Sequence, residues 1–216
     1  MKLDPTEKKW LHVDAAYGGF FLLTERGRKR LSGIERADSV TLDPHKGLFL
    51  PYGTGALLVR EQKHLEHAHA MTGDYLSELQ SEPSQVDFCQ ISPELSRDFR
   101  GLRVWLPLKM LGAQAFRTQL DEKIDLTLWF TDELRTLEKV EIVAEPELSV
   151  VAFRYRDTDE ENLRWLDAIN AQGRVMLSGT KLNGRFVLRV CVLCFRTHKD
   201  PMLMAVEDLR RTLKEL

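Results

Sequence analysis

An α/β architecture that passes into α+β is what this sequence predicts, on three observations. Short apolar runs alternate with helix-like stretches through the first half, a long helical periodicity occupies the middle, and strand-like runs flanked by two helices fill the last third. The 216 residues are 43% hydrophobic and 30% charged, an ordinary globular balance with enough apolar chain for a sizeable core.

The first strands are predicted at Trp10–Asp14, Ser39–Leu42 and Gly55–Arg60, each apolar and bounded by Asp, Gly or Pro. Such runs suit strands covered on both faces in a mostly parallel sheet. An Arg-rich helical stretch, Thr24 to Arg36, lies between the first two. Three strands are few for an independent sheet, so the sheet is expected to continue in strands outside this chain. Its unpaired edge would be an association hazard. From Gln62 to Pro93 the polar, irregular sequence reads as a long surface loop, a length that in compact domains is usually functional.

Leu102, Leu106, Met110 and Ala113 recur at helical spacing, and a longer pattern follows from Gln114 to Leu137. A domain boundary is placed near residue 113, dividing the chain into 1–113 and 114–216. Beyond it, strands are predicted near Ile142–Val143, Val150–Tyr155, Arg174–Leu177 and Arg185–Phe195, with helices near Glu160–Ala171 and at the C-terminal end.

Thirty-one Lys and Arg against 33 Asp and Glu leave a net charge of −2, which supplies no basic field for a nucleic-acid backbone or an anionic membrane. No run approaches the roughly 18 apolar residues of a membrane-spanning helix, and the polar start MKLDPTEKKW lacks the apolar core of a signal peptide. A cytoplasmic location is expected. Cys89, Cys191 and Cys194 form an odd, sparse set read as reduced thiols.

Two segments carry candidate chemistry, and each ends a predicted strand: Leu11-His12-Val13-Asp14-Ala15-Ala16-Tyr17-Gly18-Gly19 and Asp38-Ser39-Val40-Thr41-Leu42-Asp43-Pro44-His45-Lys46-Gly47. Ligands of open α/β sheets sit beyond the carboxyl ends of strands, so Asp14 and Lys46 are expected to meet in one site. An amine and a carboxylate so placed suit pyridoxal chemistry: the amine forms a Schiff base with the cofactor aldehyde, and the carboxylate keeps the pyridine nitrogen protonated. A lone Asp at a strand end is more often a cap, and only the company of these residues shifts the balance toward catalysis.

Together, HVDAAYGG and DPHKGLFLPYGTGALLV resemble the pyridoxal-phosphate-dependent group II amino acid decarboxylases, which include the aromatic amino acid and glutamate decarboxylases. The resemblance runs through almost the whole chain. It implies a fold-type I, aspartate aminotransferase-like fold: the C-terminal part of the large cofactor domain, followed by an α+β small domain. It implies pyridoxal 5'-phosphate as cofactor, a homodimer, and decarboxylation of an L-amino acid to the amine and carbon dioxide. Residue by residue, Asp14 matches the pyridine-nitrogen partner, Ala16 the small residue against one ring face, Lys46 the Schiff-base lysine, and His45 a histidine near the phosphate and reacting centre. Asp43 stands where some relatives carry Asn, and an ionised Asp cannot donate to a phosphate. Gly47 replaces a Trp common in the animal enzymes.

Tyr75 falls 29 residues after Lys46, where the family has a mobile-loop tyrosine that protonates the substrate α-carbon. A phenol remains protonated at neutral pH and is competent for that step. The family's N-terminal half, with most of the phosphate loop and a ring-stacking histidine, has no counterpart here, so the chain reads as part of an enzyme. A non-catalytic paralogue that pairs with and regulates a full-length subunit is the alternative.

His64, His67 and His69 lack partners at a recognised zinc spacing, and Cys191 and Cys194, three apart in a strand-like run, face opposite sides and make a poor chelate. No metal is expected. Arg97 and Arg100 lie in a stretch that also resembles the family, but structural ion pairs would account for them equally, and they are left out of the catalytic set.

Overall fold

The computed structural model describes residues 9–70, 86–155 and 158–215. Strand β1 (His12–Asp14) pairs in parallel with β2 (Ser39–Leu42), which pairs antiparallel with β3 (Ala56–Val59). The expectation of a mostly parallel sheet is corrected at β3. A parallel neighbour requires a crossover to the far end of the strand. Here the link spends its residues on the short helix α2 (Pro44–Gly47) and a turn at Gly53 (φ 88°), and re-enters at the end of β2 that it left. Within this chain, Leu57 and Leu58 of β3 are 53% and 56% exposed.

Between β1 and β2 the chain forms a 3-10 turn (Gly19–Leu23) and helix α1 (Glu25–Arg30). The buried Thr24 caps α1, its hydroxyl accepting from Gly27 N at 2.9 Å. Gly27 is required for close approach, because a Cβ there would lie 2.0 Å from the Phe21 carbonyl oxygen.

Helix α3 (Gln62–His69) opens the segment that reads as a loop in the sequence. No residue of α3 is buried, so it lacks the apolar stripe by which a helix is read; a Gln62–Glu66 hydrogen bond of 2.8 Å spans one turn. Helix α4 (Arg100–Arg135) is continuous except at Gly112, whose φ of 73° and ψ of 157° break it into two segments. The second segment buries Phe116, Leu120, Ile124, Phe130 and Leu134 at spacings of four and six residues.

The remaining strands are β4 (Val140–Ala144), β5 (Val150–Tyr155), β6 (Ser178–Leu182) and β7 (Arg185–Cys191), in the antiparallel order β4-β5-β7-β6. Helix α5 (Asp159–Ala171) starts at a Thr158–Glu161 capping box, and α6 (Lys199–Leu213) closes the described chain. Both pack with α4 over a core in which Phe130, Phe153, Trp165, Leu188 and Leu209 are fully buried.

Two strand expectations shift. Residues 174–177 are not a strand: Asn170 bonds both the amide and the carbonyl of Leu177, and Arg174 is drawn to Asp208. Pairing starts at Ser178 and turns through Asn183 and Gly184, both at positive φ, as a two-residue hairpin requires. Strand β7 ends at Cys191 rather than Phe195, because the buried Lys123 ammonium holds the carbonyls of Phe195 and Thr197 (3.3 and 2.7 Å) and turns the chain away.

The two regions meet at Phe21, Leu120 and Ile124, flanked by Tyr17, Phe20, Leu23, Phe49, Leu148 and Leu193. Polar ties surround this joint. Arg26 bonds Asp121 (2.9 Å) and Asp125 (2.5 Å), Arg117 donates to the Leu23 carbonyl (2.8 Å), and Tyr17 shares a hydrogen bond with Ser149 Oγ (2.8 Å).

Candidate active site

Parallel pairing brings the two sequence motifs to one edge of the sheet. Asp14 ends β1 and lies opposite Thr41 of β2, and the ladder runs one step further through Ala15 N to Thr41 O at 3.0 Å. Strand β2 then delivers Asp43 and α2, which carries His45 and Lys46. Asp14, Ala16, His45 and Lys46 therefore stand beyond the carboxyl ends of neighbouring parallel strands. Tyr75 lies outside the described residues.

Asp14 is exposed, and one of its oxygens accepts from Ala16 N at 3.1 Å, a local turn that aims the carboxylate along the strand end. Ala16 offers a methyl group beside it. On the same sheet face, Trp10 Nε1 donates to Ser39 Oγ (2.8 Å), Ser39 Oγ lies 2.7 Å from His12 Nδ1, and His12 Nε2 is 3.3 Å from Thr41 Oγ1. The indole N–H can only donate, so Ser39 Oγ accepts from Trp10, and the His12 ring bridges Ser39 and Thr41, the residue opposite Asp14.

Asp43 occupies the N-cap position of α2, ahead of Pro44 at the first helical position, yet its side chain makes no capping bond. It lies 2.6 Å from Lys46 Nζ and 3.7 Å from His45 Nε2. Asp43 is thus the counter-ion of Lys46, a role that the sequence reading did not assign; its signal in the sequence is the Asp–Lys spacing of three across one helical turn. His45 Nδ1 is 2.7 Å from the Thr54 carbonyl oxygen, which only accepts, so Nδ1 carries the proton and Nε2 turns toward Asp43. Thr54 is buried and bonds the Pro51 carbonyl through its hydroxyl (3.1 Å), making the support of His45 rigid. Tyr52 flanks the imidazole, ring centroids 5.0 Å apart.

A groove of about 1330 Å³ runs from Gly55 past Gln62 to Phe88, Leu95, Arg97 and Phe99. It reaches the site at Gly55, where a Cβ would sit 3.5 Å from Asp43 Oδ1. Along it, Arg100 pairs with Glu94 (2.8 Å) and Asp98 (3.0 Å), while Arg97 covers the Phe88 ring at 4.6 Å. The Glu94 carboxyl is held below the usual range by its hydrogen bond from Arg100.

The donor set fits a pyridoxal cofactor. Lys46 supplies a primary amine for an aldehyde, the open Asp14 carboxylate is an acceptor for a protonated ring nitrogen, and Ala16 leaves room for a flat ring. A metal finds no comparable set: among the described residues, no group of three or more His, Cys, Asp or Glu is gathered to hold one. His64 instead meets Trp10 edge-on, with centroids 5.0 Å apart, and burial pushes the Cys191 thiol up.

Comparison with known proteins agrees with this chemistry. Residues 3–156 match the family model described as the pyridoxal-dependent decarboxylase conserved domain. The aromatic-L-amino-acid decarboxylase of Bacillus atrophaeus is 36% identical over 97% of this chain and 46% of its own length. Tyrosine decarboxylase 2 of Arabidopsis thaliana is 33% identical over 85% of this chain and 35% of its own. Among solved structures, Catharanthus roseus tryptophan decarboxylase in complex with L-tryptophan superimposes with a TM-score of 0.86 at 29% identity, over 96% of this chain and 44% of that one. Oryza sativa TDC with PLP and tryptamine gives 0.87 at 26% identity, over 95% and 44%. The chain thus spans less than half the length of these relatives.

Proposed function

The chain belongs to the pyridoxal-dependent decarboxylase family, and on that premise we propose that it acts in the decarboxylation of an L-amino acid to the amine and carbon dioxide, with pyridoxal 5'-phosphate held at Lys46. Its fold is the fold-type I class that the sequence resemblance implies. The observation that carries the reading is the placement of the Asp14 carboxylate and the Lys46 amine at the ends of adjacent parallel strands.

Bound pyridoxal phosphate supplies an electron sink for the bond that breaks to release carbon dioxide. The residues of this chain hold and orient. Lys46 would hold the cofactor aldehyde through its deprotonated amine, and Asp43, 2.6 Å from Lys46 Nζ, holds the ammonium form in place. Asp14 would accept a hydrogen bond from the protonated ring nitrogen and keep it protonated, and Ala16 would leave room for the ring. His45, pinned through Nδ1 to Thr54, presents Nε2 to the reacting centre. Tyr75 is assigned the proton delivered to the substrate α-carbon.

Aromatic L-amino acids head the substrate panel, because the relatives in hand are aromatic-L-amino-acid, tyrosine and tryptophan decarboxylases. The reading includes the cytoplasmic homodimer expected from the sequence, and a division of the chain near residue 113, supported by the break of α4 at Gly112. Sedimentation of the purified chain tests the dimer.

The test of the site is reduction of the chain with borohydride in the presence of pyridoxal phosphate, followed by peptide mass spectrometry. A phosphopyridoxyl group confined to Lys46 and lost in Lys46→Ala is the expected result. Labelling scattered over surface lysines would sink the assignment. A chain that labels at Lys46 and releases no carbon dioxide from any member of the panel would favour the regulatory-paralogue reading.

A further inference from the structure

Three residues after Lys46, the backbone does something that a bulky side chain resists. Phe49 has φ of 58°, in the left-handed region that a bulky non-glycine residue keeps only where its surroundings impose it. The surroundings here come from two sides. Within the N-terminal region, α2 is seated on Phe20 so closely that a Cβ on Gly47 would lie 2.8 Å from that side chain, and Leu48 beside it is buried. From the C-terminal region, Phe195 meets the Phe49 ring at a centroid distance of 5.9 Å and a tilt of 56°, within the range of favourable aromatic pairs.

Phe195 is itself held from beneath. Lys123, on α4, is completely buried, and its ammonium is satisfied by the Thr197 carbonyl (2.7 Å), the Phe195 carbonyl (3.3 Å) and Glu122 (3.0 Å). Glu122 also bonds His198 Nδ1 at 2.7 Å. A buried ammonium that two carbonyls of one turn help to satisfy leaves that turn little freedom, since releasing either would cost it a hydrogen bond in the protein interior.

We propose that the turn at 194–198, locked by Lys123, positions Lys46 by clamping Phe49 in its left-handed conformation through the Phe195 ring. Phe195, Phe49 and Lys123 are positioning residues. Phe49 N bonds the Lys46 carbonyl at 3.3 Å and Leu48 N the Pro44 carbonyl at 3.0 Å, so the backbone that carries the Lys46 side chain ends in the clamped residue. In this arrangement the C-terminal region adds no group to the chemistry but sets where the amine stands. The importance of that placement rests on the pyridoxal reading, whereas the clamp itself does not.

Hydrogen exchange of the complete chain without cofactor tests the clamp directly. Phe195 is half-exposed, so Phe195→Ala is expected to fold, with exchange across Arg185–Cys191 unchanged, while residues 44–50 exchange roughly tenfold faster. Phe195→Tyr, which keeps the ring, should restore the parent rate. Parent-like exchange of residues 44–50 in Phe195→Ala overturns the proposal. With pyridoxal phosphate as probe, Phe49→Ala should lower affinity and alter the visible absorption more than Phe49→Gly, because glycine adopts the left-handed conformation without strain. The reverse order would also overturn it. If the parent chain takes up no pyridoxal phosphate, the functional reading fails and the exchange result alone decides the clamp.

Discussion

The two sheets of this molecule use their residues in opposite ways. The four-stranded sheet hides Val151, Phe153, Val187 and Leu188 completely beneath three helices, and its chain carries none of the matched site residues. The three-stranded sheet leaves His12, Asp14, Leu57 and Leu58 exposed and buries little of its own, yet Asp14, His45 and Lys46 all stand at its edge. A region that presents polar groups at strand ends gives up the area that would otherwise stabilise it. It leans on its neighbour through Phe21 and the ties around it.

That contrast is open to tests of decreasing size. Trp165→Ala should cost about 3–5 kcal/mol, because the indole is fully buried and bonds Thr212 Oγ1 at 3.1 Å; chemical denaturation is expected to show the loss across the four-stranded region. Phe21→Ala should cost about 3 kcal/mol at the joint and release the three-stranded region, leaving the other folded. Two resolved transitions by hydrogen exchange would sharpen the comparison, and a single concerted one would break it. Thr158→Ala, which removes the capping box of α5, should cost about 1 kcal/mol by thermal melting and leave exchange at Lys46 untouched.

The smallest effect is one of pH. Burial raises the Glu122 carboxyl, but the hydrogen bonds from His198 and Lys123 outweigh it and hold the group below the usual carboxylate range. A backbone hydrogen bond from Phe186, aided by Arg154, does the same for Asp159. A depressed folded value means stability that is complete above the ordinary carboxylate range and lost as pH falls through that value. Acid should therefore loosen the 194–198 turn and the start of α5, and Glu122→Gln should flatten the pH dependence at the turn. An unchanged acid profile in Glu122→Gln would remove that carboxylate from the account.

Much of the architecture was legible residue by residue. Ser39–Leu42 and Val150–Tyr155 form the strands that their composition predicts, since β-branched and aromatic runs bounded by turn residues have few other uses. Helix α3 was not legible, because none of its residues is buried and it carries no apolar period to read. The start of β6 was displaced by Asn170, which binds the backbone of Leu177 from a neighbouring helix; such a partner is invisible to any local pattern. Within the candidate site, the motifs placed Asp14, His45 and Lys46 beyond neighbouring strand ends, while the ion pair of Asp43 with Lys46 was not anticipated.

By itself, then, the sequence determined the family, the order of elements, and which amine and carboxylate share a sheet edge, because those follow from motif, periodicity and strand polarity. Tertiary structure alone decided the antiparallel return of β3, the tautomer imposed on His45, and the reach of the C-terminal region to the turn after Lys46. Each of these depends on groups far apart in the chain or on the direction in which a link returns, and the energy that settles it exists only once both partners have been brought together.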